Sequence, residues 1–353
     1  MIQFAFFYWD PTPEIFVLPF LHYPVLWYGA LFAMGFVLGF PIFVSLLERF
    51  FHLRPRFEAC DVKEDLVHPK IGAKKDTASI LESLNAWLYS DESIDGEAVA
   101  GTLKRRLKLE KLIPNGIYSF KKQAVNLTDK LTLYVVVATV LGARIGHLVF
   151  YEKPSYYACN PMEIIAVWKG GLSSHGAAVG IVLALWFFSM RFKSQMRHLT
   201  FLGLLDFISV PTALAGAFIR VGNFFNQEIL GVATTVPWAV VFGHPADNSL
   251  PTPRHPVQLY EAAFYAGVFC FLLFLSHRQR FLKERGRLIG LFFMLVFGFR
   301  IVVEYWKLEQ SVLLPFSFDF TMGQILSVPV VIVGAWLYFR KPKPSHSNHH
   351  PND

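Results

Sequence analysis

The sequence predicts an all-α polytopic membrane protein of about seven transmembrane helices, with its N-terminus outside, its C-terminus cytoplasmic and a soluble cytoplasmic insert. Three observations carry that prediction. Charged residues make up 17% of the 353 residues, against about 25% in soluble domains, and the mean hydropathy is +0.39. Seven apolar runs approach the roughly 20 residues that cross a bilayer as a helix. Lys and Arg alternate between the connections as one fixed orientation demands.

The N-terminal segment and first helix occupy residues 1–47. "MIQFAFFYWDPTPEIF" lacks the positive n-region of a secretory signal and carries acids early, so the run Val25–Leu47 is expected to stay as a spanning helix. Residues 48–130 differ in kind. They are charged and mixed, hold no spanning run, and read as a cytoplasmic insert in which "TASILESLNAWLY" and "EAVAGTLKRRLKLEKL" suit short amphipathic helices. No catalytic motif stands out there, and an accessory or regulatory subdomain is the expectation.

Residues 131–340 hold the other six runs: Leu131–Tyr151, Gly176–Phe192, Leu199–Ile219, Val257–Ser276, Leu288–Trp306 and Met322–Phe339. The third is short, and Asp206 and Pro211 interrupt the fourth. The tail 341–353, ending "PSHSNHHPND", is polar and expected to be disordered.

Orientation follows from the loops. The first 24 residues contain no Lys or Arg, whereas Arg49, Arg54 and Arg56 follow the first run. "RFKSQMRH" follows the third run, "HRQRFLKERGR" the fifth and "RKPKP" the seventh. Read this way, the net charge of +7 marks cytoplasmic loops and not a nucleic-acid partner. Cys60, Cys159 and Cys270 form no framework, and no Cys/His spacing suggests a metal site.

A charge near the bilayer centre costs on the order of 3 kcal/mol, so intramembrane polar groups usually face the bundle interior and often mark a site. Tyr28 begins the first helix, and Arg144 and His147 lie in the second. His175 sits in "KGGLSSHGAAVG" and Asp206 inside the fourth run. Arg300 and Glu304 lie near the end of the sixth. In the expected topology most of these fall in the outer half of the membrane.

Each also has a plainer reading. Arg300 and Glu304 stand at i,i+4 and could neutralise one another. Asp206 could bond backbone groups freed by Pro211, and Tyr28 could be an interfacial anchor. His175 could be structural, though its glycine-flanked loop at a helix start leaves N–H groups free for an anion.

Arg220 is harder to set aside. It opens "RVGNFFNQEILG", with Asn223, Asn226, Gln227 and Glu228 following. A guanidinium binds phosphate oxygens in bidentate fashion, and side-chain amides suit the hydroxyls of a polar headgroup. The run reads as a lipid-headgroup pocket.

These residues carry a resemblance. "RVGNFFNQEILG", with "WYGALFAMGF", "GARIGHLVFY", "GGLSSHGA", "LDFISVPTALAGAFIRVGN", "HPVQLYEA", "FGFRIVVEYW" and "MGQILS" in order, resembles the prolipoprotein diacylglyceryl transferases over about Met1–Leu47 and Leu131–Arg340. The insert is expected to lie outside the match. Gln227 replaces a usual glycine, and Lys307 stands where the family often has arginine.

The resemblance implies an enzyme of the bacterial cytoplasmic (inner) membrane. It would move an sn-1,2-diacylglyceryl group from phosphatidylglycerol to a lipobox cysteine at the signal peptide of a prolipoprotein. A thioether and glycerol 1-phosphate would result. Arg220, Asn223, Asn226 and Glu228 would bind the headgroup, and Arg300, oriented by Glu304, would stabilise the leaving phosphate. His175 would be the thiol's base or a headgroup ligand, and Tyr28 would line the cavity. The activated group is already in the lipid, so no cofactor, metal or ATP is expected. A transporter of an anionic solute and an intramembrane protease are the rival classes. The first lacks a visible internal repeat, and the second lacks GxSxG and HExxH.

Overall fold

The structure, a computed structural model, describes residues 6–19, 23–67, 120–150, 160–165, 171, 173–193, 199–308 and 321–340. Both amphipathic stretches expected in the insert, and the C-terminal tail, lie outside these residues. The described chain is mostly helical: α1 (Trp27–Val67), α2 (Phe120–Phe150), α3 (Ser174–Arg191), α4 (Phe201–Phe225), α5 (Val257–Ser276), the short α6 (Gln279–Lys283), α7 (Arg287–Val303) and α8 (Met322–Phe339).

The seven longer helices fall on the seven apolar runs. Five stretches are long and apolar enough to cross a membrane: Trp27–Phe51, Lys121–Phe150, Phe201–Phe225, Val257–Ser276 and Arg287–Trp306. The shorter apolar helices His175–Arg191 and Gly323–Phe339 account for the other two. Helix α1 continues past the expected end at Leu47, and α2 begins before the expected start at Leu131. An apolar run measures the span, and helical backbone can continue beyond it.

The expected all-α architecture needs a correction. Among the described residues there are five short strands: β1 (Phe7–Trp9), β2 (Glu14–Leu18), β3 (Tyr23–Leu26), β4 (Val240–Phe242) and β5 (Pro253–Arg254). β1 pairs parallel with β4, β4 pairs antiparallel with β5, and β2 and β3 form a separate antiparallel pair. The aromatic and β-branched residues of "FYW", "EIFVL" and "VVF" suit strands, but each segment is too short to announce itself by periodicity.

The chain divides into two compact units, Met1–Phe43 with Leu202–Asp353, and Val44–Phe201. In the second unit, α2 and α3 cross on four glycines. A Cβ at Gly146 would stand 2.7 Å from the Cα of Gly176, and one at Gly142 would stand 2.5 Å from the Gly176 carbonyl oxygen. Gly142/Gly146 and Gly176/Gly180 are both small-xxx-small pairs. Such pairs let backbones approach in lipid, where the hydrophobic effect cannot draw helices together. Arg144 is buried and donates to the carbonyls of Ile164 (2.9 Å), Gly171 (3.1 Å) and Glu163. It holds the chain ahead of α3.

In the first unit, α7 and α8 meet closely at Gly290 and Gly334, and α1 meets α4 where Gly35 lies against Ala215. Helix α4 runs unbroken through Pro211, so the interruption expected there is absent. Asp206 bonds backbone, but not its own helix. It is 1% exposed, and its carboxylate accepts from the Gly286 N–H (2.6 Å) and the Ile289 N–H (2.9 Å). It therefore caps the N-terminus of α7 from a neighbouring helix, where a negative charge also meets the helix dipole favourably.

Candidate active site

The signature stretch begins in the last turns of α4 and leaves them abruptly. Gln227 and Ile229 have positive φ, 53° and 55°, a region costly for residues with a Cβ. Gln227 offsets the cost with a clasp. Its amide donates to Asp10 Oδ1 (3.2 Å) and accepts from the His244 N–H (2.8 Å), and its backbone carbonyl accepts from Ala246 N (3.1 Å). The residue that departs from the family's usual glycine thus ties the loop to β1 and to the segment after β4. Below it, Trp9 stacks on Phe224 at 4.7 Å and donates its indole N–H to the Phe224 carbonyl (3.0 Å). Phe224, Leu230, Val240 and Phe242 close a small buried core against Trp9.

That turn brings four of the expected residues together. Arg220 donates to Asn223 Oδ1 (3.1 Å). Asn223 and Asn226 then donate to the two oxygens of Glu228 at 3.0 and 3.1 Å. Tyr28 packs over Gly222, where a Cβ would meet its ring at 2.9 Å, and the charges of Glu228 and Arg220 both act on its hydroxyl.

Two residues outside the expected set complete the centre. Glu261, on α5, is fully buried; its Oε2 lies 3.1 Å from Arg220 Nε and its Oε1 lies 2.9 Å from Lys307 Nζ. Lys307 arrives there through its backbone. The chain after α7 runs back along the signature loop, with Val232 N–H donating to the Trp306 carbonyl and Leu308 N–H to the Leu230 carbonyl, both at 2.9 Å. Gly231 stands opposite Lys307 in that pairing, and a Cβ there would lie 2.8 Å from that of His255. Arg254 pins the same loop by donating to the Gly231 carbonyl (3.2 Å). Gln258 donates to the Glu228 carbonyl (2.6 Å), while its own side-chain oxygen is buried without a partner.

Arg300 and Glu304 do not pair. Helix α7 ends at Val303, and Glu304 opens a 3₁₀ turn through Trp306. The Glu304 N–H still donates to the Arg300 carbonyl as in an α-helix, so the backbone keeps the two residues one turn apart and it is the side chains that diverge. Glu304 instead lies 3.6 Å from Lys307 Nζ, and its Oε1 occupies the space above Gly323, in the first turn of α8. The Arg300 side chain, half-buried, makes no hydrogen bond or ion pair with any described residue. Its charge and that of Arg220 both act on the Tyr265 hydroxyl.

His175 is exposed at the start of α3, in the second unit. Ser173 caps that helix by accepting from the Gly176 N–H at 3.4 Å, which gives the serine of "GGLSSHG" a structural task. Among the described residues, no group of three or more His, Cys, Asp or Glu side chains could hold a metal ion.

Apolar helices enclosing a buried centre of cations and carboxylates define a multi-pass membrane protein with a charged internal site. The comparisons with known proteins narrow this further. The family model described as prolipoprotein diacylglyceryl transferase matches residues 101–340. A phosphatidylglycerol–prolipoprotein diacylglyceryl transferase of Protochlamydia amoebophila (strain UWE25) is 37% identical, over 96% of this chain and 95% of its own length. A protein of the same name from Porphyromonas gingivalis is 31% identical over 96% of each chain, and one from Tolumonas auensis is 42% identical over 64% of this chain and 84% of its own. The chain belongs to the prolipoprotein diacylglyceryl transferase family. The first two alignments extend across residues 48–130, so the insert does not lie outside the likeness as the motifs alone suggested.

Proposed function

We propose that the protein transfers the sn-1,2-diacylglyceryl group of phosphatidylglycerol to the lipobox cysteine of prolipoproteins, at the signal peptide, in the bacterial cytoplasmic membrane. Its relatives carry the name of this transferase. The observation that carries the reading is the contrast between two arginines. Arg220 is fixed by Glu261 and Asn223, while Arg300 has no counter-ion among the described residues.

The chemistry accounts for that contrast. The thiol sulphur attacks the sn-3 carbon of the diacylglyceryl group. A carbon–sulphur bond forms, the carbon–oxygen bond breaks, and its electron pair goes to the phosphate of departing glycerol 1-phosphate. The thiol proton passes to a base. The phosphate therefore gains negative charge, which a preorganised guanidinium stabilises more in the transition state than in the ground state. Arg300 serves that charge, and Arg220 with Asn223, Asn226 and Glu228 binds the headgroup. Tyr28 lines the pocket beside Gly222. His175 takes the thiol proton or binds the headgroup, an assignment that rests on its chemistry and the family motif. Glu304 acts through Lys307. The fold we propose has seven spans, an outside N-terminus, residues 48–130 as a cytoplasmic insert and a cytoplasmic tail at 341–353.

The test incubates the purified protein with phosphatidylglycerol and a lipobox peptide and reads the peptide's mass. The expected product carries one added diacylglyceryl group, and a Cys-to-Ser peptide gains none. Arg220→Ala and Arg300→Ala are expected to lose roughly 10²–10³ in kcat, as loss of one oxyanion donor does, and His175→Gln is expected to fall comparably. Near-normal rates in folded variants would remove these assignments.

A further inference from the structure

Helix α5 is apolar except for one face. Gln258, Glu261 and Tyr265 stand on it at i, i+3 and i+7, and all three are buried. A carboxylate there is costly unless partnered, and Glu261 is partnered from two other elements. Its Oε2 faces Arg220 Nε from the end of α4, and its Oε1 faces Lys307 Nζ from the turn after α7. The Tyr265 hydroxyl also donates to Oε1, at 3.3 Å.

Arg220 donates one Nη1–H to Asn223, and its Nε lies at ion-pair distance, 3.1 Å, from Glu261 Oε2 without a hydrogen bond to it. These two contacts hold the guanidinium in place, and N–H groups beyond the one given to Asn223 remain for a ligand. Lys307 is 3.6 Å from Glu304, beyond hydrogen-bond reach, and Glu304 Oε2 is buried with no hydrogen-bond partner.

We infer that Glu261 is a positioning residue. It fixes the orientation of Arg220 towards the headgroup phosphate and, with Lys307, sets how tightly the centre holds that anion. The inference rests on the reading of this centre as a phospholipid-headgroup site. Its consequence is a split that a merely structural carboxylate would not produce. Glu261→Gln keeps the shape, removes one negative charge and sets an amide donor against a cation. The anion should bind more tightly while being held less correctly.

Two quantities are measured on the purified full chain in detergent: turnover with phosphatidylglycerol and lipobox peptide, and the dissociation constant for glycerol 1-phosphate by calorimetric titration. For Glu261→Gln the dissociation constant is expected to fall about tenfold, the scale of one unit charge about 6 Å away at an effective dielectric near 40. Its kcat is expected to fall about 100-fold. Lys307→Gln should shift the dissociation constant about tenfold the other way, and the double variant should return it to within threefold of the parent with kcat still low.

Parallel weakening of binding and turnover in Glu261→Gln, or a kcat within threefold of the parent, would overturn the inference. So would a double variant whose binding is not restored. If Glu261→Gln does not fold, Glu261→Asp and Lys307→Gln carry the test. The first keeps the charge and should bind glycerol 1-phosphate like the parent while losing kcat; unchanged kcat, or weakening equal to that of Lys307→Gln, overturns the claim. A parent protein that binds glycerol 1-phosphate yet transfers nothing would defeat the proposed function instead.

Discussion

Asp206 decides whether an intramembrane acid belongs to the chemistry or to the scaffold. Its two oxygens accept from Gly286 N–H at 2.6 Å and Ile289 N–H at 2.9 Å, and it is almost wholly buried. Asp206→Ala leaves both donors orphaned at the start of α7, at about 1–3 kcal/mol each. The lost charge–dipole attraction adds up to about 2 kcal/mol. Part of this is returned because the carboxylate no longer has to be desolvated, so a net loss of about 3 kcal/mol is expected. Asp206→Asn keeps one acceptor but turns an amide N–H₂ towards the other donor, and about 2 kcal/mol is expected. The assay is a denaturant titration in detergent micelles, paired with diacylglyceryl transfer per folded molecule. Both midpoints should fall, alanine further than asparagine, with transfer per folded molecule within threefold of the parent. An unchanged midpoint with abolished transfer would refute the reasoning and put Asp206 in the chemistry.

Three further outcomes follow from the geometry. Gly176→Leu, on the α2–α3 crossing, should lower the unfolding midpoint far more than Gly267→Leu, because a Cβ at Gly267 meets nothing within 4 Å; overpacking of this kind costs about 1–3 kcal/mol or more. Gln227→Ala loses the side-chain bonds to Asp10 and His244 but keeps the strained φ, so it should destabilise by about 2–3 kcal/mol. Gln227→Gly relieves the strain and should be milder by about 1 kcal/mol; the reverse order of unfolding midpoints would contradict the clasp. The His244 side chain beside Asp10 holds that carboxyl below the usual range, with Gln227 adding to the effect. The resulting stabilisation is fully present above the unfolded carboxyl pKa, near 3.9, and is lost as pH falls through the lower folded value. Thermal midpoints of the parent and Asp10→Asn should therefore differ above about pH 4 and converge below it.

The helices were legible because apolar length is a strong signal, and the signature loop was legible because its amides and acids are adjacent in sequence. What escaped was long-range or geometric. Glu261 was in view within "HPVQLYEA", and the spacing Gln258–Glu261–Tyr265 on an apolar helix was the available sign of a buried polar face. Its partners, Arg220 and Lys307, come from distant segments. The GxxxG spacings at Gly35/Gly39, Gly142/Gly146 and Gly176/Gly180 were an available sign of close helix contacts that was not read, and they do not say which helices meet. For Asp206 the sequence suggested backbone partners but could not say which, because every residue except proline carries an N–H; the donors are those of Gly286 and Ile289. The backbone keeps Arg300 and Glu304 at i,i+4; their pairing was not met because Lys307, three residues after Glu304, lies nearer its carboxylate.

The corrected pairing makes better electrostatic sense than the expected one. The centre holds three cations, Arg220, Arg300 and Lys307, and three carboxylates, Glu228, Glu261 and Glu304. A charge-balanced cluster avoids the desolvation cost of carrying surplus charge into a bilayer. Balance alone would spend every cation on a protein acid. Here two carboxylates crowd Lys307, and Glu228 is held by asparagine amides, which neutralise nothing. Arg300 has no counter-ion among the described residues, and its charge reaches the Tyr265 hydroxyl. Had Glu304 paired with Arg300, the phosphate would have had to displace a protein carboxylate as its own charge grew. Glu304 lies instead towards Lys307 and the start of α8, so in the reaction we propose the same composition that balances the cluster would leave one guanidinium for the departing phosphate.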